Sequence, residues 1–220
     1  MIITIDGPAG TGKSSVAHEV AQRLGFDFLD TGAMYRAIAL AALRTKTPLA
    51  DPAAIAALAQ KTILDFDWSS HPPQLLLNGQ IVGQALRCDE TTEASSLIAA
   101  NPAVREELVN RQRQFGHQRP NLVSEGRDQG TVVFPDAELK FYLDATPQER
   151  ARRRARQSGS DEAAILAEIV ARDARDSTRA VGPLKPAADA RRLDTTFLTE
   201  DQVVQKIVDA ARQQMTSARA

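Results

Sequence analysis

A chain of 220 residues with 43% hydrophobic, 25% charged and 5% aromatic side chains has the make-up of a globular protein, which excludes a disordered one. Its 27 basic and 28 acidic side chains leave a formal charge of -1, so no overall field draws it onto nucleic acid or anionic lipid. Cys88 is the only cysteine, which excludes an internal disulfide and a cysteine-rich zinc centre and reads as a small buried hydrophobe.

In chain order, Met1 to Asp6 is a β-branched apolar run stopped by Gly7-Pro8, the pattern of a buried strand ended by a loop. From Gly12, Val16, Val20 and Leu24 recur at helical spacing until Gly25, and Phe26 to Leu29 reads as a second strand. Helices are expected over 33–44 and 52–63, the latter with Asp51 as N-cap and Pro52 in its first position. Between Gln74-Leu75-Leu76-Leu77 and Gln80-Ile81-Val82 stands Asn78-Gly79, a hairpin signal, and the segment 64–101 reads as an inserted subdomain. A helix from Pro102 to about Gln114 follows, then strands at Leu122 to Glu125 and Leu139 to Asp144. Charged helices are expected over 147–157 and 161–177, separated by Gly159. A short strand ends at Leu193-Asp194, and a terminal helix over 201–215 carries Val203, Val204, Ile207, Val208 and Ala211 on one stripe, which suits packing on its own core and a monomer.

Strands alternating with helices imply an α/β fold, a mostly parallel sheet covered on both faces, with ligands beyond the carboxyl ends of the strands. Gly7, Asp30, Gly126 and Asp144 fall at such ends. No apolar run approaches the ~20 residues that span a bilayer, and no basic region followed by an apolar stretch opens the chain. A cytoplasmic protein without membrane or nucleic-acid partners is expected.

Gly7-Pro8-Ala9-Gly10-Thr11-Gly12-Lys13-Ser14, followed by Ser15, matches the P-loop pattern and lies between a predicted strand and a predicted helix. There, backbone N–H groups and the positive end of the helix cradle the phosphates of ATP, Lys13 reaches the β- and γ-phosphates, and Ser14 offers its hydroxyl to Mg²⁺. Phosphoryl transfer to a small acceptor needs a second pocket and arginines that spread the developing charge. Arginine outnumbers lysine 21 to 6, and candidate arginines stand in three places. Asp30-Thr31-Gly32-Ala33-Met34-Tyr35-Arg36 follows the second strand, and Glu125-Gly126-Arg127-Asp128-Gln129-Gly130 follows another. Arg172, Arg175, Asp176 and Arg179 recur at intervals of three and four, as on one side of a helix that closes over phosphates.

These segments, with Thr131-Val132-Val133-Phe134-Pro135 after the second and Arg172-Asp173-Ala174-Arg175-Asp176 as the last, resemble the signatures of the bacterial cytidylate kinase family, in that family's order and over nearly the whole chain. The resemblance implies a parallel P-loop core, a monophosphate-binding insertion with its own small sheet near 64–101, and a helical lid near 154–180. It implies Arg36, Arg127 and Arg179 on the acceptor phosphate, Ser96, Arg105 and Asp128 on cytosine, and Asp176 with Arg172 on the sugar. Thr31 and Tyr35 belong to the same acceptor set, and Lys13, Arg127, Arg175 and Arg179 would serve catalysis. Cytosine carries an amino donor where uracil carries an oxygen, so a carboxylate such as Asp128 attracts one and repels the other. The reaction implied is transfer of the ATP γ-phosphoryl group, with Mg²⁺, to CMP or dCMP. A kinase for UMP, AMP or shikimate is the rival reading, and a non-enzymatic ATP-binding module a more distant one.

Overall fold

The computed structural model describes residues 1–217. They form two compact units, one built from residues 1–28 and the chain from Arg119 onward, the other from Leu29–Gln118.

The first unit is organised around β1 (Ile2–Asp6), which runs parallel to β6 (Leu122–Gly126) on one side and β7 (Leu139–Asp144) on the other. With β2 (Asp27–Asp30) and β8 (Arg191–Asp194) the sheet reads β2-β6-β1-β7-β8, so the α/β expectation holds. Ile3, Ile5, Val123, Phe141 and Leu143 of the strands pack with Val16 and Val20 of α1 (Lys13–Leu24) and with the apolar stripe of α8 (Glu200–Ser217). That stripe therefore belongs to the core, as its spacing suggested. Two further helices, α6 (Pro147–Ser158) and α7 (Glu162–Thr178), form a hairpin joined around Gly159 and closed by a small cluster of Ala151, Ile165 and Ile169.

In the second unit, α2 (Thr31–Thr45) starts two residues earlier than the periodicity suggested, because Asp30 accepts a hydrogen bond from the Ala33 N–H and caps it. Asp51 caps α3 (Pro52–Lys61) through the N–H groups of Ala53 and Ala54, as expected. Strands β3 (Leu64–Asp67), β4 (Gln74–Leu77) and β5 (Gln80–Ile81) make an antiparallel sheet in that order. Asn78 and Gly79 both have positive φ, 50° and 78°, the turn geometry that an Asn-Gly pair favours between strands. The remainder is a short 3-10 turn at Gly83–Arg87, α4 (Asp89–Ile98) and α5 (Pro102–Gln118).

One expectation fails. Cys88 is exposed rather than buried, because it stands at the start of α4 on the surface of its unit, where its Sγ lies 2.9 Å from the Thr91 hydroxyl. Among the described residues no helix is long and apolar enough to cross a membrane.

Candidate active site

In the first unit, the loop between β1 and α1 depends on glycine. Gly7 has φ of 152°, and a Cβ there would stand 2.1 Å from the Leu143 carbonyl oxygen. Only a residue without a side chain lets the loop pass so close to β7. Gly12, at φ of 84°, turns the chain into α1, so Lys13 and Ser14 open the helix at its positive end.

Lys13 is buried and its Nζ donates to the Pro8 carbonyl at 2.8 Å, folding the side chain back over the loop. Burial, then the nearby Arg127 and Arg172, push its ammonium group well below its ordinary pKa, with Glu125 and Asp6 opposing. Lys13 is thus a buried cation whose charge the two nearby arginines disfavour further, a penalty that a bound polyanion would relieve. Ser14 donates its hydroxyl to Glu125 Oε1 at 2.7 Å. Glu125 is buried at the end of β6, beside Ile5 in the sheet register, so the strand order alone brings it to the P-loop helix. A serine hydroxyl and a carboxylate at this separation are hard oxygen donors of the kind Mg²⁺ takes, so the residues fit that ion.

Beyond Glu125 the chain turns through a single π-helical turn, Gln129–Val133. Asp6 holds its start, accepting from the N–H groups of Gln129 and Gly130, each at 2.8 Å. The Asp6 carboxyl is raised from 3.8 to about 7 by burial and by Asp128, against those two amide bonds. The turn presents Arg127, whose Nε donates to Asp176 Oδ2 at 3.0 Å. Arg179 NH1 lies 3.7 Å from the other Asp176 oxygen, and its NH2 donates to the Gly182 carbonyl. Burial opposes the Asp176 charge, but Arg127, Arg179 and Arg172 outweigh it and hold the carboxyl below its usual range. Asp128, the residue after Arg127 in the chain, is buried.

The grouping of Arg172, Arg175, Asp176 and Arg179 on one helical side is thus only partly what the fold provides. Asp176 is buried, Arg172 is half-buried and Arg179 caps the helix from just beyond its end, while Arg175 is exposed.

Within the second unit, Arg36 NH2 donates to both oxygens of Asp30, at 3.2 and 2.9 Å, and Thr31 is buried in the first turn of the same helix. Arg105, with 2% of its surface exposed, donates to the Ala99 carbonyl at 3.3 Å and lies 5.7 Å from the centre of the Tyr35 ring. Ser96 is buried, and its hydroxyl has no hydrogen-bond partner among the described residues. A buried orphan hydroxyl costs stability unless something polar binds there.

Asp173 of α7, quoted within a motif but given no role, and Arg150 of α6 both bond the P-loop. The Ala9 N–H donates to Asp173 Oδ1 at 3.2 Å, and Arg150 NH1 donates to the Ala9 carbonyl at 2.9 Å and to Asp173 Oδ2. Glu125 was quoted within a motif but given no role. Its sequence signal was its place at a strand end, one residue before a glycine.

The cytidylate kinase family model matches residues 3–213. A cytidylate kinase of Bordetella bronchiseptica is 48% identical, the match covering 94% of this chain and 93% of that protein. One of Pasteurella multocida is 44% identical, over 98% and 96%. Among solved structures, TT1252 from Thermus thermophilus aligns with a TM-score of 0.51 at 18% identity, covering 97% of both chains. An uncharacterized protein from Eubacterium ventriosum aligns at 0.52 and 12% identity, covering 96% and 98%. At these identities the two structural likenesses bear on the fold alone.

Proposed function

The chain belongs to the cytidylate kinase family, nucleoside monophosphate kinases, and from that premise we infer how its own residues carry transfer of the ATP γ-phosphoryl group to CMP or dCMP. The observation that supports the assignment most is the glycine-turned loop that opens α1 with the buried Lys13 and with Ser14 bonded to Glu125.

The backbone of Gly7, Pro8, Ala9, Gly10, Thr11 and Gly12, with Lys13, Ser14 and Ser15, cradles the donor phosphates. Ser14 and Glu125 would hold Mg²⁺, which when bound would screen the phosphate charges. Because the Ser14 hydroxyl donates its hydrogen bond to Glu125, its oxygen lone pairs would face the ion. Lys13 stabilises the charge that builds on the transferring group, and Arg127 and Arg179, with Arg175 from the exposed side of α7, add to it. The nucleophile is a phosphate oxygen that is already anionic, so alignment and charge suffice and no side chain need remove a proton.

For the acceptor, Arg36, Arg127 and Arg179 take the phosphate, and Arg172 with Asp176 the ribose. Asp128 accepts from the cytosine amino group, Arg105 donates to the ring oxygen and nitrogen, and Ser96 supplies its spare hydroxyl, with Thr31 and Tyr35 in the same set. Residues 64–101 form the monophosphate-binding insertion and 154–180 the lid, whose closure keeps water from the phosphoryl group. The enzyme works as a cytoplasmic monomer.

The test is ADP formation from ATP and Mg²⁺ with CMP, dCMP, UMP, AMP and shikimate offered separately at matched concentrations. Fast turnover with CMP and dCMP alone supports the reading, and Asp128→Ala should then erode the cytosine preference more than the rate. Equal turnover with UMP would sink the Asp128 and Arg105 assignment while leaving the kinase. No dependence on any acceptor would make the protein a binding module.

A further inference from the structure

The P-loop residue Ala9 is held at both ends of its own backbone. Its N–H donates to Asp173 Oδ1 at 3.2 Å, and its carbonyl accepts from Arg150 NH1 at 2.9 Å. The same Arg150 nitrogen bonds Asp173 Oδ2, so the two side chains close a ring around one residue of the loop. Arg150 is itself fixed, with 4% of its surface exposed and its Nε donating to the Ala145 carbonyl at 3.0 Å. The fit continues at the next residue, where a Cβ on Gly10 would meet Arg150 Cβ at 3.1 Å and Ile169 Cδ1 at 3.4 Å.

A carboxylate beside a phosphate loop would repel the donor if it stood alone. Paired to Arg150 it is neutralised, and it serves as an acceptor for an amide that otherwise has no partner within the loop. The pair also spans two helices, Arg150 on α6 and Asp173 on α7. One turn beyond Asp173, α7 carries Asp176, which grips Arg127, and one residue before it stands Arg172. A helix transmits a displacement along its axis with little loss, so whatever fixes Arg172 and Asp176 also fixes Asp173 against Ala9.

We propose that Asp173 and Arg150 are positioning residues that clamp Ala9 and couple occupation of the acceptor residues on α7 to the shape of the donor phosphate loop. Acceptor binding holds α7 in place, the clamp holds the loop open for phosphates, and the donor then binds without bearing the cost of ordering either. By reciprocity the donor raises acceptor affinity by the same factor. The inference rests on the proposed placing of the acceptor on Arg172 and Asp176.

The test is calorimetric binding of a β,γ-imido ATP analogue with Mg²⁺, alone and at saturating CMP, to the full chain. In the unaltered protein CMP should tighten the analogue by about tenfold. In Asp173→Ala the factor should fall towards one, and in Asp173→Asn, which keeps an oxygen for the Ala9 N–H, it should lie between. A merely structural loss would lower the melting temperature or the fraction of competent protein and leave the ratio of affinities where it was. Hydrogen exchange supplies a reading without any variant, since the Ala9 amide should exchange more slowly once CMP is added. A factor near one in the unaltered protein, or an undiminished factor in Asp173→Ala, overturns the coupling while CMP binding itself stands. Failure of CMP to bind at all overturns the acceptor assignment and the coupling together.

Discussion

Arg127 Nε donates to Asp176 Oδ2 at 3.0 Å, joining the turn after β6 to the helix α7 through an ion pair largely removed from water. Removing one member of such a pair leaves the other charge stranded, which typically costs about 3–5 kcal/mol. Asp176→Ala should therefore destabilise the fold by that order in urea unfolding, because Arg127, Arg179 and Arg172 lose a shared counter-ion. It should also raise the KM for CMP more than the KM for ATP, since Asp176 is assigned to the acceptor sugar. Equal effects on both substrates would mean that Asp176 only supports the fold.

Gly7 and Gly12 both have positive φ, but their surroundings differ. A side chain at Gly7 would collide with the backbone of Leu143, whereas nothing lies within 4 Å of a Cβ at Gly12. Gly12→Ala should cost about 1–2 kcal/mol, the penalty for a side chain in left-handed backbone. Gly7→Ala should cost about 3 kcal/mol or more, because strand and loop backbone must separate. The two unfolding curves, measured side by side, check the ranking.

Lys13 separates stability from catalysis. Its ammonium group is buried, and the nearby Arg127 and Arg172 disfavour its charge further, so the folded chain gains little from that charge. Lys13→Met keeps most of the aliphatic stem and removes the repulsion. Its melting temperature should be unchanged or higher, while turnover with CMP falls on the order of 10²- to 10³-fold. Retention of most activity would remove Lys13 from the phosphate site.

Glu125 is assigned to orient the Ser14 hydroxyl and to supply charge to the metal. Glu125→Gln keeps an oxygen that can accept from Ser14 at the same place but loses the negative charge. Metal affinity in the nucleotide complex should fall about 10- to 100-fold. Electron paramagnetic resonance of Mn²⁺ in the presence of ADP reads this directly, apart from turnover. Unaltered Mn²⁺ affinity would confine Glu125 to a structural bond.

What could be read from the sequence was whatever lies close together along the chain. The P-loop was legible because its strand, glycines, lysine and hydroxyl occupy fourteen consecutive positions, and the β4–β5 turn because Asn78 and Gly79 carry their own backbone preference. The helix start at Asp51 is a local capping event as well. The π-helical turn after Asp128 was not legible, since the side chain that starts it, Asp6, is 124 residues from Gly130. The same holds for Asp173 against Ala9, 164 residues apart, and for Glu125 against Ser14, 111 residues apart. Cys88 was misread because composition reports how often a residue type is buried and says nothing of a surface helix start.

Asp6 makes a prediction about pH whose sign is opposite to that of Asp176. Its carboxyl is raised from 3.8 to about 7 because burial, with help from Asp128, outweighs the two amide bonds it accepts. The folded chain therefore holds this proton more tightly than the unfolded chain. The contribution of the proton to stability is complete below about 3.8 and is lost as pH rises through about 7. Asp176, with its carboxyl depressed by three arginines, contributes stability above the ordinary carboxylate range and loses it as pH falls. Asp6→Asn removes the first titration and leaves the second. The unaltered protein should consequently gain stability relative to Asp6→Asn as pH is lowered from 8 to 5, in urea unfolding at matched ionic strength. A difference that stays constant across that range would mean that the amide bonds from Gln129 and Gly130 hold Asp6 ionised throughout. The titration also reaches the site, because those amides begin the turn that presents Arg127 and Asp128. A proton on Asp6 weakens its hold on the turn's first residues, so the arginine arrangement behind the turn should be firmest on the alkaline side of 7.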